Sequence, residues 1–149
     1  MDMALHLAEE AARDDEVPIG AVVVKDGRVI GKGRNRTITL NDPTAHAEME
    51  AITAAANTIG QRYLNGATLY VTLEPCPMCA GALWLARIER LVYAARDPKA
   101  GAVESLYRMH DDPRLNHRYP VTAGILEEQS AELLREFFAK KRKDKDGGR

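Results

Sequence analysis

Short apolar runs alternate with longer amphipathic stretches along the chain, and this alternation predicts its secondary structure. The runs 20–24 and 29–33 flank the dipeptide Asp26-Gly27, which is typical of a tight hairpin turn. Two antiparallel strands are therefore expected at this point. Three further runs rich in β-forming residues predict the remaining strands: 69–72, 91–95 and 121–123.

Helical periodicity marks four longer segments and one short one at 103–109. The longer helices are predicted at 3–15, from the start signal Asp42-Pro43-Thr44 to about Asn57, from Pro77 onward, and from about Glu127 into the C-terminal tail. Their predicted inward faces are Leu5, Ala8 and Ala12; Met49, Ile52 and Ala56; Ala80, Leu83, Trp84 and Ile88; and Ala131, Leu134 and Phe138.

The order of these elements predicts the fold class. Strands that alternate with helices favour a three-layer α/β/α domain, whose mixed sheet has a hairpin at one side and parallel strands elsewhere. A chain of 149 residues has the size of one domain, so a single domain is expected over 1–149. Ligands of such sheets bind beyond the carboxyl ends of the strands.

Composition is that of a soluble globular protein and gives only a local indication of a nucleic-acid partner. The hydrophobic content is 45 %, the charged content is 29 % and the formal net charge is −1. Positive charge is concentrated at the end of the last helix and in the tail, about 139–149. This basic segment could attract a phosphate backbone, or it could be a solvated helix end.

The sequence also indicates the cellular compartment of the protein. No apolar run is long enough to span a bilayer, and the first residues lack the charged and apolar regions of a signal peptide. Both cysteines belong to one motif, which agrees with a reducing compartment. A cytoplasmic location without membrane contact is therefore expected.

Cys76 and Cys79 are three positions apart. If Pro77 opens a helix, both thiols lie on its first turn and can bind one ion. The N-terminus of a helix also favours the thiolate form that zinc requires. A structural zinc site uses four protein ligands, and a catalytic site uses three ligands and a water molecule. A histidine must therefore contribute if zinc is bound.

His46 is the natural third ligand, because the helix start at 42–44 places it in a first helical turn. Glu48 points to a different side of that helix and is poorly placed to share the ion. At a helix tip, however, both side chains can lean past the N-terminus, one onto the metal and the other onto its water. The spacing thus predicts His46 as a ligand and Glu48 as a proton carrier.

These two motifs carry a family resemblance. His46-Ala47-Glu48 and Pro75-Cys76-Pro77-Met78-Cys79 match the H-x-E and P-C-x-x-C signature of zinc-dependent nucleobase deaminases. Further segments are similar to the bacterial tRNA-specific adenosine deaminases: 16–21, 35–36, 42–48, 70–79, 95–97, 116–118 and 137–138. The resemblance covers nearly the whole chain.

The resemblance implies a cytidine-deaminase-like fold with about five strands, one Zn²⁺ per chain and a homodimer. It implies hydrolytic deamination of the wobble adenosine in a tRNA anticodon stem-loop, with inosine as the product. Zinc held by His46, Cys76 and Cys79 would activate water, and Glu48 would carry the proton to the base.

Further residues are candidates for contact with the nucleotide and the RNA. The substrate-binding candidates are Val17, Pro18, Asn35, Ala47, Leu73 and Asp97. The RNA-contact candidates are Lys99, Phe138, Lys141 and Arg142. The resemblance implies that Asn35 contacts the flipped nucleotide and that Asp97 meets the substrate backbone. Without it, both residues are equally interpretable as turn residues.

Four other interpretations agree with parts of the pattern. A Cys-x-x-Cys pair can be a thioredoxin-like redox pair, but then His46 and Glu48 have no role. A structural zinc site needs a fourth ligand, and His110 and His117 lack metal-like spacing to the cysteines. A deaminase of free bases or nucleosides, such as cytosine, cytidine or guanine, uses the same zinc chemistry. An RNA-binding scaffold would have no use for Glu48.

Overall fold

The computed structural model describes residues 1–147, in which strands and helices alternate as expected. The strands are β1 (Gly20–Lys25), β2 (Arg28–Arg34), β3 (Ala67–Leu73), β4 (Arg90–Ala95) and β5 (Val121–Ala123). The helices are α1 (Asp2–Arg13), α2 (Ala47–Ile59), α3 (Pro77–Leu85) and α4 (Glu127–Gly147), with a 3₁₀ turn at Met109–Asp111. The last two positions of the predicted basic tail, 148 and 149, lie outside the described residues.

The five strands in this part of the chain form one mixed sheet in the order β2-β1-β3-β4-β5. β1 is antiparallel to both of its neighbours, whereas β3, β4 and β5 are parallel. Asp26 and Gly27 join β1 to β2 with φ angles of 52° and 73°, in the left-handed region that a tight hairpin turn requires. The expected mixed sheet, with its hairpin at one side, is confirmed.

Helices cover both faces of this sheet. α1 packs on the face of Gly20, where an added Cβ would overlap the backbone of Ala4 and Ala8. Ala21 points to the opposite face and belongs to the buried cluster that α2 and α3 share with the sheet. α4 contacts α1 and lies against β4 on the first face. The three-layer α/β/α arrangement is therefore confirmed.

The inward face of α2 consists of small residues and differs from the predicted face. The fully buried residues are Ala47, Ala51 and Ala55, whereas the predicted Met49, Ile52 and Ala56 are only partly buried. The cause lies in β2, which presents Gly31 and Gly33 to the helix. A Cβ at either glycine would overlap the α2 backbone. Helix and strand thus approach so closely that only alanine fits between them.

We expect Gly33→Ala to lower the free energy of unfolding by about 1–3 kcal/mol, because the new methyl group would overlap the carbonyl oxygen of Ala47. Urea unfolding of the zinc-loaded protein measures the change. Gly147→Ala is the matched control, since a Cβ at Gly147 meets no other atom within 4 Å. Equal unfolding midpoints for Gly33→Ala and the control would contradict the close approach of α2 to β2.

The predicted short helix at 103–109 is wrong. The backbone N–H groups of Val103, Glu104 and Ser105 all donate to the carboxylate of Glu74, over 2.8 to 3.2 Å. Amides bound to a side chain in this way cannot form the i to i−4 bonds of a helix. The segment is therefore a loop, and its conformation is set by a distant residue that local propensity does not register.

The predicted faces of the last two helices also differ in part from the observed ones. Ile88 is fully buried but lies beyond the end of α3. On α4 the predicted stripe is rotated, since Phe138 is 44 % exposed whereas Phe137 is only partly accessible. Within residues 1–147 no helix, α4 included, is both long and apolar enough to cross a membrane.

Candidate metal centre

The ends of several strands meet at one edge of the sheet. β3 and β4 end side by side, because the amide of Glu74 donates to the carbonyl oxygen of Ala95 over 2.8 Å. β1 begins at the same edge, where the amide of Gly20 donates to the hydroxyl of Thr72 over 3.2 Å. This edge lies at the carboxyl ends of the parallel strands, where ligand sites of α/β sheets are found.

Three metal-binding side chains converge at this edge. Nδ1 of His46 lies 3.6 Å from the Sγ atom of Cys76 and 3.6 Å from that of Cys79. All three donor atoms lie within 4.8 Å of one another. A tetrahedral zinc ion, with Zn–S of about 2.3 Å and Zn–N of about 2.0 Å, requires S···N separations of about 3.6 Å. The separations of the donor atoms therefore fit a zinc ion, and three is the number of protein ligands that catalytic zinc sites use.

Two of the three donors sit at helix ends. His46 is the N-cap of α2 and Cys76 is the N-cap of α3, both with extended backbone, and Pro77 opens α3 as expected. The helix start predicted at 42–44 is wrong by several residues. The Asp42 carboxylate accepts bonds from the amide and hydroxyl of Thr44, at 2.8 and 2.7 Å, and so closes a turn before the helix.

Glu48 lies in the first turn of α2 and is only 4 % exposed. Burial raises the pKa of its carboxyl group, while hydrogen bonds with its own amide and with the Cys79 thiol act in the opposite direction. The carboxyl group is thus beside the donor cluster without belonging to it. A carboxyl group with a raised pKa at this place is suited to accept and return a proton.

The three donors influence one another's protonation. The hydrogen bond from Cys79 lowers the pKa of Cys76 to about 4 against the effect of burial, and His46 lowers it further. The same sulfur pair and burial raise the pKa of Cys79. The hydrogen bond with Cys76 raises the pKa of His46. At least one thiolate is therefore available for a cation at neutral pH.

The segment around Asn35 is hydrogen-bonded to the chain segments that lead into β1 and into His46. The amide of Asn35 donates to the carbonyl oxygen of Ile19 over 3.0 Å, next to the candidates Val17 and Pro18. The next amide, that of Arg36, donates to the carbonyl oxygen just before His46 over 3.0 Å. Asn35 itself is 5 % exposed. The structure thus brings three of the sequence-predicted pocket residues to the metal-binding edge.

Two more predicted pocket residues also lie there. Leu73 ends β3, pairs with Ala95 and is partly buried. Ala47 is the first residue of α2 and is fully buried. The carboxylate of Asp97, in contrast, accepts bonds from the amides of Lys99 and Ala100, at 3.1 and 3.2 Å. Its side chain therefore stabilises the turn that follows β4.

The RNA-contact candidates are spread over the turn after β4 and over α4. Lys99 and Arg142 are exposed, and Phe138 presents an accessible ring. Lys141 forms an ion pair with Asp15 and lies 5.6 Å from the centre of the Phe137 ring. Of these four side chains, Lys141 and Phe138 are thus engaged within the chain, the latter because its ring packs edge-on against Phe137 with 5.4 Å between the ring centres.

The two alternative histidines lie elsewhere. His117 shares a hydrogen bond of 2.8 Å with the carbonyl oxygen of Ile88, which precedes β4 and lies at the opposite edge of the sheet. His110 is buried, and its backbone carbonyl accepts from the amide of Tyr119. Among residues 1–147, neither histidine joins the group that could hold a metal.

Two buried glutamates were not singled out by the sequence analysis. The Glu16 carboxylate accepts from the amides of Ile38 and Thr39, at 3.1 and 2.6 Å. Burial opposes ionisation of Glu16, but these hydrogen bonds outweigh it and lower its pKa. Glu74 holds the loop after β4 in a similar way. A glutamate at the end of a buried apolar segment and within two residues of a proline is the signal that could have identified both.

Comparisons with known proteins agree with this site. The sequence profile of the MafB19-like deaminases matches residues 1–142. The tRNA-specific adenosine deaminase of Agrobacterium fabrum (strain C58 / ATCC 33970) is 56 % identical over 144 residues, which cover 97 % of this chain and 95 % of that protein. The chain belongs to this deaminase family.

Solved structures place the chain within the family more closely. A structure from a study of A-to-I editing by tRNA:A34 deaminases at the wobble position has a TM-score of 0.87 and 55 % identity, and covers 90 % of this chain and 97 % of its own. Guanine deaminase from Bacillus subtilis has a TM-score of 0.63 and 36 % identity, covering 95 % and 90 %. Both the sequence identity and the TM-score are thus higher for the tRNA:A34 deaminase structure than for this guanine deaminase.

Proposed function

We propose that this deaminase converts the wobble adenosine of a tRNA anticodon to inosine. The observation that carries the proposal is the similarity to tRNA-specific adenosine deaminases over nearly the full length of both chains. The site supports it, because a His-Cys-Cys donor set and a buried glutamate meet at the ligand-binding edge of the sheet. These are the parts that hydrolytic deamination of a base requires.

One zinc ion per chain is proposed, held by Nδ1 of His46 and the sulfurs of Cys76 and Cys79. When bound, the ion supplies Lewis acidity that lowers the pKa of a water molecule to about 7. A redox role for the cysteine pair would leave the nearby histidine and the buried Glu48 without a function. A closed structural site would need a fourth protein ligand.

Glu48 is proposed to move the protons of the reaction. Its carboxylate takes a proton from the attacking water and delivers it to the ring nitrogen N1 of adenine, while the water oxygen adds to C6. Glu48 then takes the second proton, from the hydroxyl group now on C6, and transfers it to the exocyclic amine, so that C6 becomes a carbonyl. The C6–N bond breaks, ammonia leaves, and inosine remains. Because Glu48 is buried, bulk water does not compete for these protons.

The base must leave the anticodon stack to reach this site. We assign the surrounding pocket to Val17, Pro18, Asn35 and Leu73, and to the backbone amide of Ala47 at the N-terminus of α2. Asn35 would contact the flipped nucleotide through its carboxamide. The turn at Asp97 would meet the RNA backbone through main-chain groups, because its carboxylate already binds two amides.

The RNA outside the pocket would contact the exposed candidates. Phe138 offers a ring for base stacking, and Lys99 and Arg142 offer positive charge to phosphates. Lys141 would have to release Asp15 before it could bind a phosphate. The formal net charge of −1 means that any attraction to RNA depends on such local groups.

We further propose that the chain is a single domain that acts in the cytoplasm as a homodimer. Leu85, Leu106 and Tyr107 support a dimer, since they are 66 %, 53 % and 57 % exposed and a second copy would cover them. Light scattering of the zinc-loaded protein tests the oligomeric state.

Incubation with a tRNA anticodon stem-loop that carries a wobble adenosine tests the function. We expect inosine at that position, measured by mass after nuclease digestion, and no turnover of free adenosine, cytidine, cytosine or guanine. A stem-loop with guanosine at the wobble position is the control. Turnover of a free base with none in the RNA would retain the zinc chemistry and disprove the tRNA assignment.

A further inference from the structure

The carboxylate of Glu74 is the centre of an unusually dense set of hydrogen bonds. It accepts from four backbone amides, those of Asp97, Val103, Glu104 and Ser105, and from the hydroxyl of Ser105. The distances range from 2.5 to 3.2 Å, and Glu74 is only 2 % exposed. One side chain thus fixes both ends of the loop 97–105.

The loop is built around this carboxylate. A Cβ at Gly101 would overlap the carboxyl carbon and both oxygens of Glu74, so the loop can close only with glycine at this position. The amide of Ala102 donates to the carbonyl oxygen of Pro75 over 2.8 Å. The loop is therefore joined to the two residues that directly precede the metal donor Cys76.

The outer side of the same loop faces solvent beside the site. Arg96, which precedes the loop, has a side chain that is 54 % exposed, and Lys99 is exposed as well. A buried carboxylate loses its hydration, and an apolar side chain would fill this space without that cost. The five hydrogen-bond donors offset the lost hydration of Glu74 only while the loop keeps the conformation that directs them at its carboxylate. The charge of Glu74 thus serves to specify the conformation of the loop.

We propose that Glu74 is a positioning residue that holds the loop 97–105 in the conformation that binds the RNA substrate. This inference rests on the proposed function, since it concerns the same reaction. Glu74 does not touch the reacting atoms and acts through the main chain of the loop. A loose loop has to be ordered when RNA binds, which weakens binding but leaves the chemical step intact.

Kinetics of the zinc-loaded Glu74→Gln variant on the anticodon stem-loop test the proposal. The amide of glutamine replaces one acceptor oxygen by a donor, so several loop amides lose their partner. We expect KM to rise on the order of tenfold, kcat to stay within about twofold, and zinc to remain at one ion per chain. Gly101→Ala should give the same pattern, because its methyl group displaces the carboxylate without removing its charge.

Two further variants show how large a change in KM should be attributed to the hydrogen bonds of Glu74. Ser105→Ala removes one of the five donors, so KM should rise by only about two- to threefold. Glu89→Gln is the control, because this exposed glutamate lies just before β4, at the opposite edge of the sheet from the loop. Its KM should stay within about twofold of the wild-type value.

Hydrogen exchange at the amides of 97 and 103–105 gives a readout that needs no substrate. Faster exchange is expected in Glu74→Gln and Gly101→Ala but not in Glu89→Gln. Unchanged exchange, or a fall in kcat at unchanged KM, would overturn the proposal. Loss of zinc would overturn it as well, because it would show that Glu74 supports the metal donor Cys76 and not the loop. A wild-type chain without turnover of RNA would disprove the proposed function, and exchange would still decide whether Glu74 holds the loop.

Discussion

Replacement of Glu48 by alanine lowers turnover of the tRNA substrate by about 10²- to 10⁴-fold and leaves zinc at one ion per chain. The reason is the division of roles within one helix turn. His46 contributes one of the three donor atoms of the proposed zinc site, whereas the carboxylate of Glu48 lies beside those donors in a buried position. Removing the carboxylate would therefore remove the proposed proton carrier and keep all three proposed ligands.

Inosine formation and metal analysis of the same purified sample measure both parts of this prediction. Glu50→Gln is the matched control, since Glu50 lies two residues further along α2 and its carboxylate pairs with Arg36 at 3.4 Å on the accessible side. This control should keep zinc and wild-type turnover within about twofold. Zinc-free Glu48→Ala protein would show that the glutamate is a ligand and would contradict the assigned role.

Replacement of Cys76 by alanine removes both zinc and turnover. Only His46 and Cys79 remain as protein donors, whereas catalytic zinc sites use three. Loss of groups that merely orient a ligand costs about 10- to 100-fold in metal affinity, so loss of a ligand itself should cost more than about 100-fold. Turnover should fall with the metal content, because proton removal by Glu48 requires a water molecule whose pKa the bound ion has lowered.

The metal content of Cys76→Ala is measured after dialysis against a weak chelator. Wild-type protein stripped with a strong chelator is the reference, and it should regain turnover when zinc is added back. Met78→Leu is the control, because it changes a side chain between the two cysteines and keeps both sulfurs. An active Cys76→Ala protein, with or without metal, would refute the proposed ligand set.

Local chemistry explains why much of the fold could be predicted from the sequence. Asp26-Gly27 specifies its hairpin because few other dipeptides adopt two successive left-handed conformations. Alternation of strands and helices fixes the layered arrangement, since crossover helices must cover both faces of a parallel sheet. The metal group was predicted because two thiols at a proline-started helix need a nitrogen partner. The structure brings His46 to that place.

The features that escaped prediction depend on contacts between distant segments. The inward face of α2 is set by Gly31 and Gly33, which precede the helix in another element. The start of α2 is displaced because the Asp42 carboxylate closes a turn on Thr44. The loop 97–105 follows Glu74 rather than its own helix propensity. Sequence periodicity indicates which residues face the core, but it does not indicate which backbone groups a side chain from a distant segment will bind.

The close approach between α2 and β2 has a consequence for engineering. The position of His46 and Glu48 relative to the sheet is set where the backbones of helix and strand meet, at Gly31 and Gly33. No large side chain lies between the α2 and β2 backbones at these glycines, so no rotamer change there can alter the distance between helix and strand. The position of the site relative to the sheet is therefore fixed. A variant library aimed at new substrates should therefore keep these glycines and their alanine partners invariant, and should diversify the loops that surround the pocket.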